Sequence, residues 1–215
     1  MSLPTVFRFR TLSRFSDTAL ILAALLVLPG CWVMSINPLY EEHLFGHSDP
    51  DLTFDQNLVG SWWQPKEGCL LKIAAADEKY AVEYVTPKQK QGEGCALDEG
   101  QTVRMEGRLV KLDAHRFLDV APRSDDVCFS CLPMHQIYLM ALDKDSLTLT
   151  PIDGDWLKQG VEQNKVVVAT LPDDNDHDSL AATTKDLKDF YRRYADDQAA
   201  FKPVPNLAFK RKPAS

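Results

Sequence analysis

The residues best equipped for chemistry in this chain of 215 are its five cysteines, Cys31, Cys69, Cys95, Cys128 and Cys131. Two of them form Cys128-Phe129-Ser130-Cys131, with His135 close behind. A thiol oxidoreductase uses such a pair when a helix N-terminus lowers one thiol's pKa and keeps it a thiolate at neutral pH. Here Leu132-Pro133 leads into an alternating apolar stretch that reads as a strand, so the pattern lacks that helix. Cys69, Cys95, Cys128 and Cys131 could instead enclose a zinc ion tetrahedrally, although their spacing does not require one. In an exported chain an even set of cysteines reads as disulfides, in one of three connectivities that the sequence does not separate. The acid–base candidates are sparser. His43, His47, His115, His135 and His177 have no matching partner spacing, and neither a Gly-x-Ser-x-Gly nor a zinc-protease motif occurs. The run Asp173-Asp174-Asn175-Asp176-His177-Asp178 could touch Ca²⁺, yet it lacks the central glycine and terminal glutamate of an EF-hand and reads as a solvated loop. The expectation is a protein with no catalytic constellation, no metal and no cofactor.

Cys31 differs from the other four in what precedes it. Arg8, Arg10 and Arg14 lead into the apolar run Ala19 to Leu28, which stops at Pro29-Gly30-Cys31. Such a run is about half of the roughly 20 residues that a helix needs to span a ~30 Å hydrocarbon layer. A positive segment followed by a short apolar one is the pattern of an export signal. Leu28-Pro29-Gly30-Cys31 resembles the lipobox of bacterial lipoproteins, which runs aliphatic, small, small, cysteine. That resemblance implies a diacylglyceryl group on the Cys31 sulfur, cleavage before it, and fatty acylation (palmitate or similar) of the new α-amino group. Two or three acyl chains satisfy the requirement for stable membrane anchoring. The plainer alternatives are an ordinary cleaved signal or a short retained anchor. The expected location is the bacterial cell envelope, outside the cytoplasm.

Residues 1–30 hold three of the 24 basic residues and one of the 31 acidic ones, so the chain from Cys31 onward has 21 against 30 and a net charge of −9. That balance argues against nucleic acid as a partner, because phosphates require a basic surface. The remaining 185 residues suit one domain with a substantial core.

The elements that would position these residues are mostly strands. Residues Trp32 to Asp55 contain Pro38, Gly46 and Pro50 and no sustained period, and so read as a tether. From Leu58 the chain runs through short apolar segments separated by polar turns: Leu58–Gln64, Cys69–Ala75, Lys79–Val85, Thr102–Leu112, Arg116–Pro122, His135–Leu142, Ser146–Ile152 and finally Lys165–Thr170. Period-2 alternation at hairpin spacing predicts an antiparallel barrel or sandwich of eight or nine strands. Two helices interrupt it. Asp153 or Asp155 can cap a short one that Gly160 ends. A longer one follows Thr183, with Leu187, Phe190, Tyr191 and Tyr194 on one stripe. The expected organisation is a signal peptide at 1–30, lipidated Cys31 and a tether at 31–57, a β domain with a C-terminal helix at 58–201, and a basic tail at 202–215 trailing on the surface.

Asn57-Leu58-Val59-Gly60-Ser61-Trp62 places a Gly-x-Trp at the opening of the first strand, ahead of a meander and a late helix. This resembles the lipocalin superfamily, and the resemblance implies a closed eight-stranded barrel in which Gly60 permits tight entry to the strand and Trp62 plugs one end. The arginine that covers this Trp in the family has no counterpart in Lys165 to Thr170, and the family's Thr-Asp-Tyr motif is absent. More loosely, Ile36-Asn37-Pro38-Leu39-Tyr40, Gly60 with Trp62, and Ala181, Thr183, Leu187 and Tyr194 look like bacterial lipoproteins with a lipocalin-like body. That group implies a fold and an envelope location and supplies no activity. If the Tyr80, Val82, Tyr84 face and the Ile137, Leu139 face both point inward, their bulk fills most of such a barrel. The functional expectation is a lipid-anchored binding or interaction domain acting on another envelope protein. The alternatives are a carrier of a small apolar ligand and a thiol oxidoreductase using Cys128 and Cys131.

Overall fold

The computed structural model describes residues 33–41, 48–88, 100–123, 134–171 and 179–213. In chain order its strands are β1 (Met34–Ser35), β2 (Leu52–Thr53), β3 (Gly60–Trp63), β4 (Leu70–Ala76), β5 (Lys79–Val85), β6 (Thr102–Leu112), β7 (His115–Pro122), β8 (His135–Leu142), β9 (Ser146–Pro151), β10 (Thr170–Leu171), β11 (Ser179–Leu180) and β12 (Ala208–Arg211). The helices are α1 (Gly154–Glu162) and α2 (Thr184–Tyr194). No helix among the described residues is long and apolar enough to cross a membrane.

Eight strands close on themselves in the order β8, β7, β6, β5, β4, β3, β12 and β9, with β9 pairing back to β8. All eight junctions are antiparallel. β3 to β9 follow the hairpin spacing of the sequence, and Asp77 and Asp113 make their turns at positive φ (55° and 54°), which a short polar side chain tolerates. The strand that completes the ring is not among those expected. β12 comes from the segment read as a trailing basic tail and inserts between β3 and β9, burying Leu207 and Phe209. Without it, β3 and β9 would each present a row of unpaired backbone groups. Lys165–Thr170, expected as the last barrel strand, contributes only the start of β10, which pairs with β11 outside the ring.

Alternation divides the wall into two faces. Tyr80 and Val82 point inward, together with Trp62, Leu71, Ile73, Leu109, Leu118, Leu147 and Phe209. On β8, however, Tyr138 and Met140 face the interior, while Ile137 and Leu139 face out. The pairing of Leu118 with Tyr138 fixes that choice. Because Ile137 to Leu142 is apolar at every position, the sequence offered both faces, and a step of one residue exchanges them.

The outward face of β6 to β8 supports a second core. Leu187, Phe190 and Tyr191 of α2 pack there on Val110, Leu112, Phe117 and Ile137, with the Tyr191 ring edge-on to Phe117 at 5.2 Å. Thr183 caps α2 by accepting from the Asp186 amide at 3.2 Å, and Asp153 caps α1 by accepting from the Trp156 amide at 2.8 Å. α1 runs past Gly160 to Glu162, and the turn that follows carries Asn164 at φ 55°, where the Asn164 amide reaches Val161 O and the Lys165 amide reaches Gly160 O. Gly160 is needed for a different reason: a Cβ there would stand 2.5 Å from Val166 Cγ2. The stretch read as a tether also differs. Val33, Ser35, Leu39, Tyr40 and Asp49 are buried, β1 joins β8 and β11, and β2 joins β6, so the described parts of 33–57 belong to the folded body.

Candidate functional site

The Gly60 and Trp62 motif forms the seal of one barrel end. Asp55 caps the 3-10 turn Gln56–Leu58, accepting from the Asn57 amide at 2.9 Å. That turn lies over the opening of β3, and Trp62, with no exposed surface, donates its indole N–H to Leu58 O at 2.9 Å. The guanidinium of Arg211, from β12, lies 4.0 Å from the centroid of a Trp62 ring. It donates to Lys144 O at 2.9 Å, to Val59 O at 3.2 Å and to Asn57 O. Arg211 thus fastens the turn, β3 and the β8–β9 hairpin over the ring. Gly60 has φ 148°, and a Cβ there would stand 2.8 Å from Arg211 Nη1. It is a glycine because L side chains rarely adopt that φ, and the tip of the arginine crosses the position as well. A cleft of about 700 Å³ opens beside this seal, lined by Asp55, Gln56, Arg116, Asp143 and Lys144 among others. Its arginines are already engaged, Arg211 in the seal and Arg116 with Asp55 at 2.7 Å.

Inside the ring, Leu58, Trp62, Tyr80 and Leu147 have no exposed surface, and Val82 and Phe209 have 2%. A void that admitted a water-sized sphere would leave exposed area on its walls, so these side chains meet one another. The Asp55 amide donates to the Tyr80 hydroxyl at 2.7 Å, and Tyr138 donates to Gln136 Oε1 at 2.8 Å. Burial raises both phenols above their ordinary pKa, so they remain neutral hydrogen-bonding groups. Tyr84 and Met105 are half-buried towards the opposite end, at the close of β5 and the opening of β6.

Two polar clusters fasten the outer layer. Asp119, 1% exposed, accepts from the Leu39 amide through Oδ2 at 2.7 Å and holds His135 Nδ1 through Oδ1 at 2.7 Å. An Asp–His pair orients a base in hydrolases only when a nucleophile faces the other ring nitrogen. Ser35, the register partner of His135, instead donates its hydroxyl to Asn37 O at 2.7 Å. The pair therefore holds the N-terminal segment to the wall. Burial and the Asp119 carboxylate both push the buried Tyr191 phenol upward in pKa. In the second cluster Lys188 Nζ, on α2, lies 2.7 Å from each oxygen of Asp49 and 2.8 Å from Asp51, which also meets Arg192 at 3.1 Å. Burial alone would raise the Asp49 pKa, but Lys188 and the amides of Glu41 and Asp51 outweigh it and hold the carboxyl below its usual range.

Among the expected site residues, the structure brings together Gly60 and Trp62, and it buries Cys69 immediately before β4. Cys31, Cys95, Cys128 and Cys131 lie outside the described residues, as do His43, His47, His177 and the Asp173 to Asp178 run. His115 meets Asp196 at 3.1 Å. Among the described residues no three His, Cys, Asp or Glu converge as a metal site. The sequence reading missed Arg211, Asp119, Asp49 and Lys188. Asp119 carried a signal, as a lone carboxylate between Leu118 and Val120 within an apolar strand. No protein-family model, curated protein or solved structure matches the chain.

Proposed function

We propose that this is a lipid-anchored protein of the bacterial envelope, held by acylated Cys31, whose barrel works through its outer surface and not as a container. The observation that carries the second half is the interior packing: Trp62, Tyr80, Tyr138, Leu147 and Phe209 occupy the space a ligand would need. The first half rests on the apolar run that ends at Cys31. A lipocalin-like ancestry fits the same reading, supported by Arg211 lying over Trp62 in the place that resemblance leads one to look for an arginine. The remaining thiols are structural in this reading, and Cys69 supports it by being wholly buried, out of reach of a substrate.

The test has two arms. Cys31→Ser should leave uncleaved precursor and abolish incorporation of a fatty-acid probe; normal maturation with label would defeat the anchor. An apolar fluorescent probe should show no saturable binding to the mature protein. Micromolar binding that envelope lipids displace would favour the carrier over the filled barrel.

A further inference from the structure

β8 carries β9 along its Tyr138–Leu142 portion and β1 along its His135–Gln136 portion, so the sheet leaves the ring there and continues through β1, β11 and β10. One face of this extension is covered: Val33, Leu180, Val166 and Val168 pack into the second core with α1 and α2. The opposite face is half-buried at Met34, Ser179 and Ala181 and open along its outer strand. Residues 166–171 alternate strictly, with Val166, Val168 and Thr170 turned to the body and Val167, Ala169 and Leu171 exposed. Val167 is 81% exposed and Leu171 50%, and among the described residues Phe54 and Trp63 are the other large apolar side chains in solvent. The ladder is continued past the short strands by the Ala181 amide, which donates to Ala169 O at 2.8 Å. Leu171 pairs with Ser179, and the parallel pairing of Ser35 with Leu180 sets Met34 level with Ser179. Met34, half-buried, therefore belongs to the same face, two strand spacings from Leu171, or about 10 Å.

The chain outside the body on this side is short. Val33 is already buried and Met34 already paired, so only Trp32 separates Cys31 from the folded domain. At full extension the two steps from Cys31 to Val33 reach about 7 Å. An acylated Cys31 then places this edge of the domain at the headgroups, with no long tether to let it stand off.

We propose that the open part of the β1–β11–β10 extension, through Val167, Ala169 and Leu171, is a membrane-contact surface that rests on the lipid bilayer beside the anchor. This rests on the lipid-anchor reading above and adds an orientation to it. The attraction is apolar burial at the headgroup boundary. A net charge of −9 from Cys31 onward gives no help from anionic lipid, so zwitterionic bilayers suffice.

The test uses the mature lipidated chain, purified from membranes and reconstituted into phosphatidylcholine vesicles doped with a phosphatidylcholine that carries a diazirine near the top of one acyl chain. After illumination, the peptide holding Val167 to Leu171 should carry at least ten times the lipid adduct of the peptide holding Trp63. Trp63 is also exposed, but it lies on β3, three strands round the ring from β8. In the doubly substituted Val167→Asp, Leu171→Asp protein, flotation with vesicles should persist while the adduct at the strip falls at least fivefold. Equal labelling of the two peptides in a protein that floats would overturn the docking surface and leave the anchor standing. Failure to float, with no acyl group on Cys31, would overturn both. Absence of adduct in pure lipid, with cross-linking of the strip to a protein in native membranes, would replace the bilayer with a protein partner.

Discussion

Arg211→Ala should destabilise the domain by about 3 kcal/mol. The guanidinium sits 4.0 Å over Trp62 in a half-buried position, where a cation–π contact is worth about 1 kcal/mol. Its bonds to Asn57 O and Lys144 O are solvent-exposed, so water replaces much of what is lost, and roughly 0.5 kcal/mol each is a fair value; the part-buried bond to Val59 O is worth about 1 kcal/mol. Truncation also uncovers one face of the Trp62 ring, at about 25 cal/mol for each Å² exposed. For a domain of this size the total corresponds to a fall in Tm of about 10 °C. The assay is urea unfolding followed by tryptophan fluorescence and by far-UV circular dichroism. Arg211→Lys should lose about half as much, because an ammonium keeps a charge over the ring but does not span three carbonyls. Gly60→Ala should be destabilising alone and couple strongly to Arg211→Ala, since its Cβ would stand 2.8 Å from Arg211 Nη1. An Arg211→Ala protein within about 0.5 kcal/mol of wild type would refute the seal as the fastening of the ring.

Three further outcomes follow from the closure of the ring and from the Lys188 cluster. A chain ending at Pro203 loses β12, and with it buried Leu207 and Phe209 and the pairing of both β3 and β9; that loss is comparable to a whole domain's ~5–15 kcal/mol, so limited proteolysis should find it unfolded, and a protease-resistant core would contradict the closure. Lys188→Met leaves the Asp49 carboxylate buried without its cation and should cost about 3 kcal/mol in chemical denaturation. The depressed Asp49 pKa contributes stability above about pH 4 that fades as pH falls through the lowered value. Burial alone would depress Lys188, but Asp49 and Asp51 raise it, and this contribution is present below about pH 10 and fades as pH rises through the raised value. The urea midpoint should therefore be flat near neutrality and drop at both extremes, and Lys188→Met should shrink both drops.

The hairpins β4–β5, β6–β7 and β8–β9 were legible because each is a local event: a period-2 run, a polar turn, then a second run whose partner is its neighbour in the chain. α2 was legible in the same way, from a Thr183 cap and a stripe at 3.6-residue spacing. β12 was not. Ala208-Phe209-Lys210-Arg211 has the composition of a tail, and it is a strand because β3 and β9 leave a gap that four residues can bridge. The partner of Trp62 was hidden for that reason, since Arg211 meets the ring only after the chain has gone round the barrel and returned. Residues 33–57 read as a tether because they have no period, yet Asp49 meets Lys188 and Leu39 meets Asp119 across separations that local pattern does not register. Local sequence determined which segments are strands and helices, because turn geometry and side-chain periodicity act over a few residues. Tertiary structure decided which face of β8 points inward, what closes the ring and what lies over Trp62, because those depend on pairing between segments whose order in space is set only when the whole barrel forms.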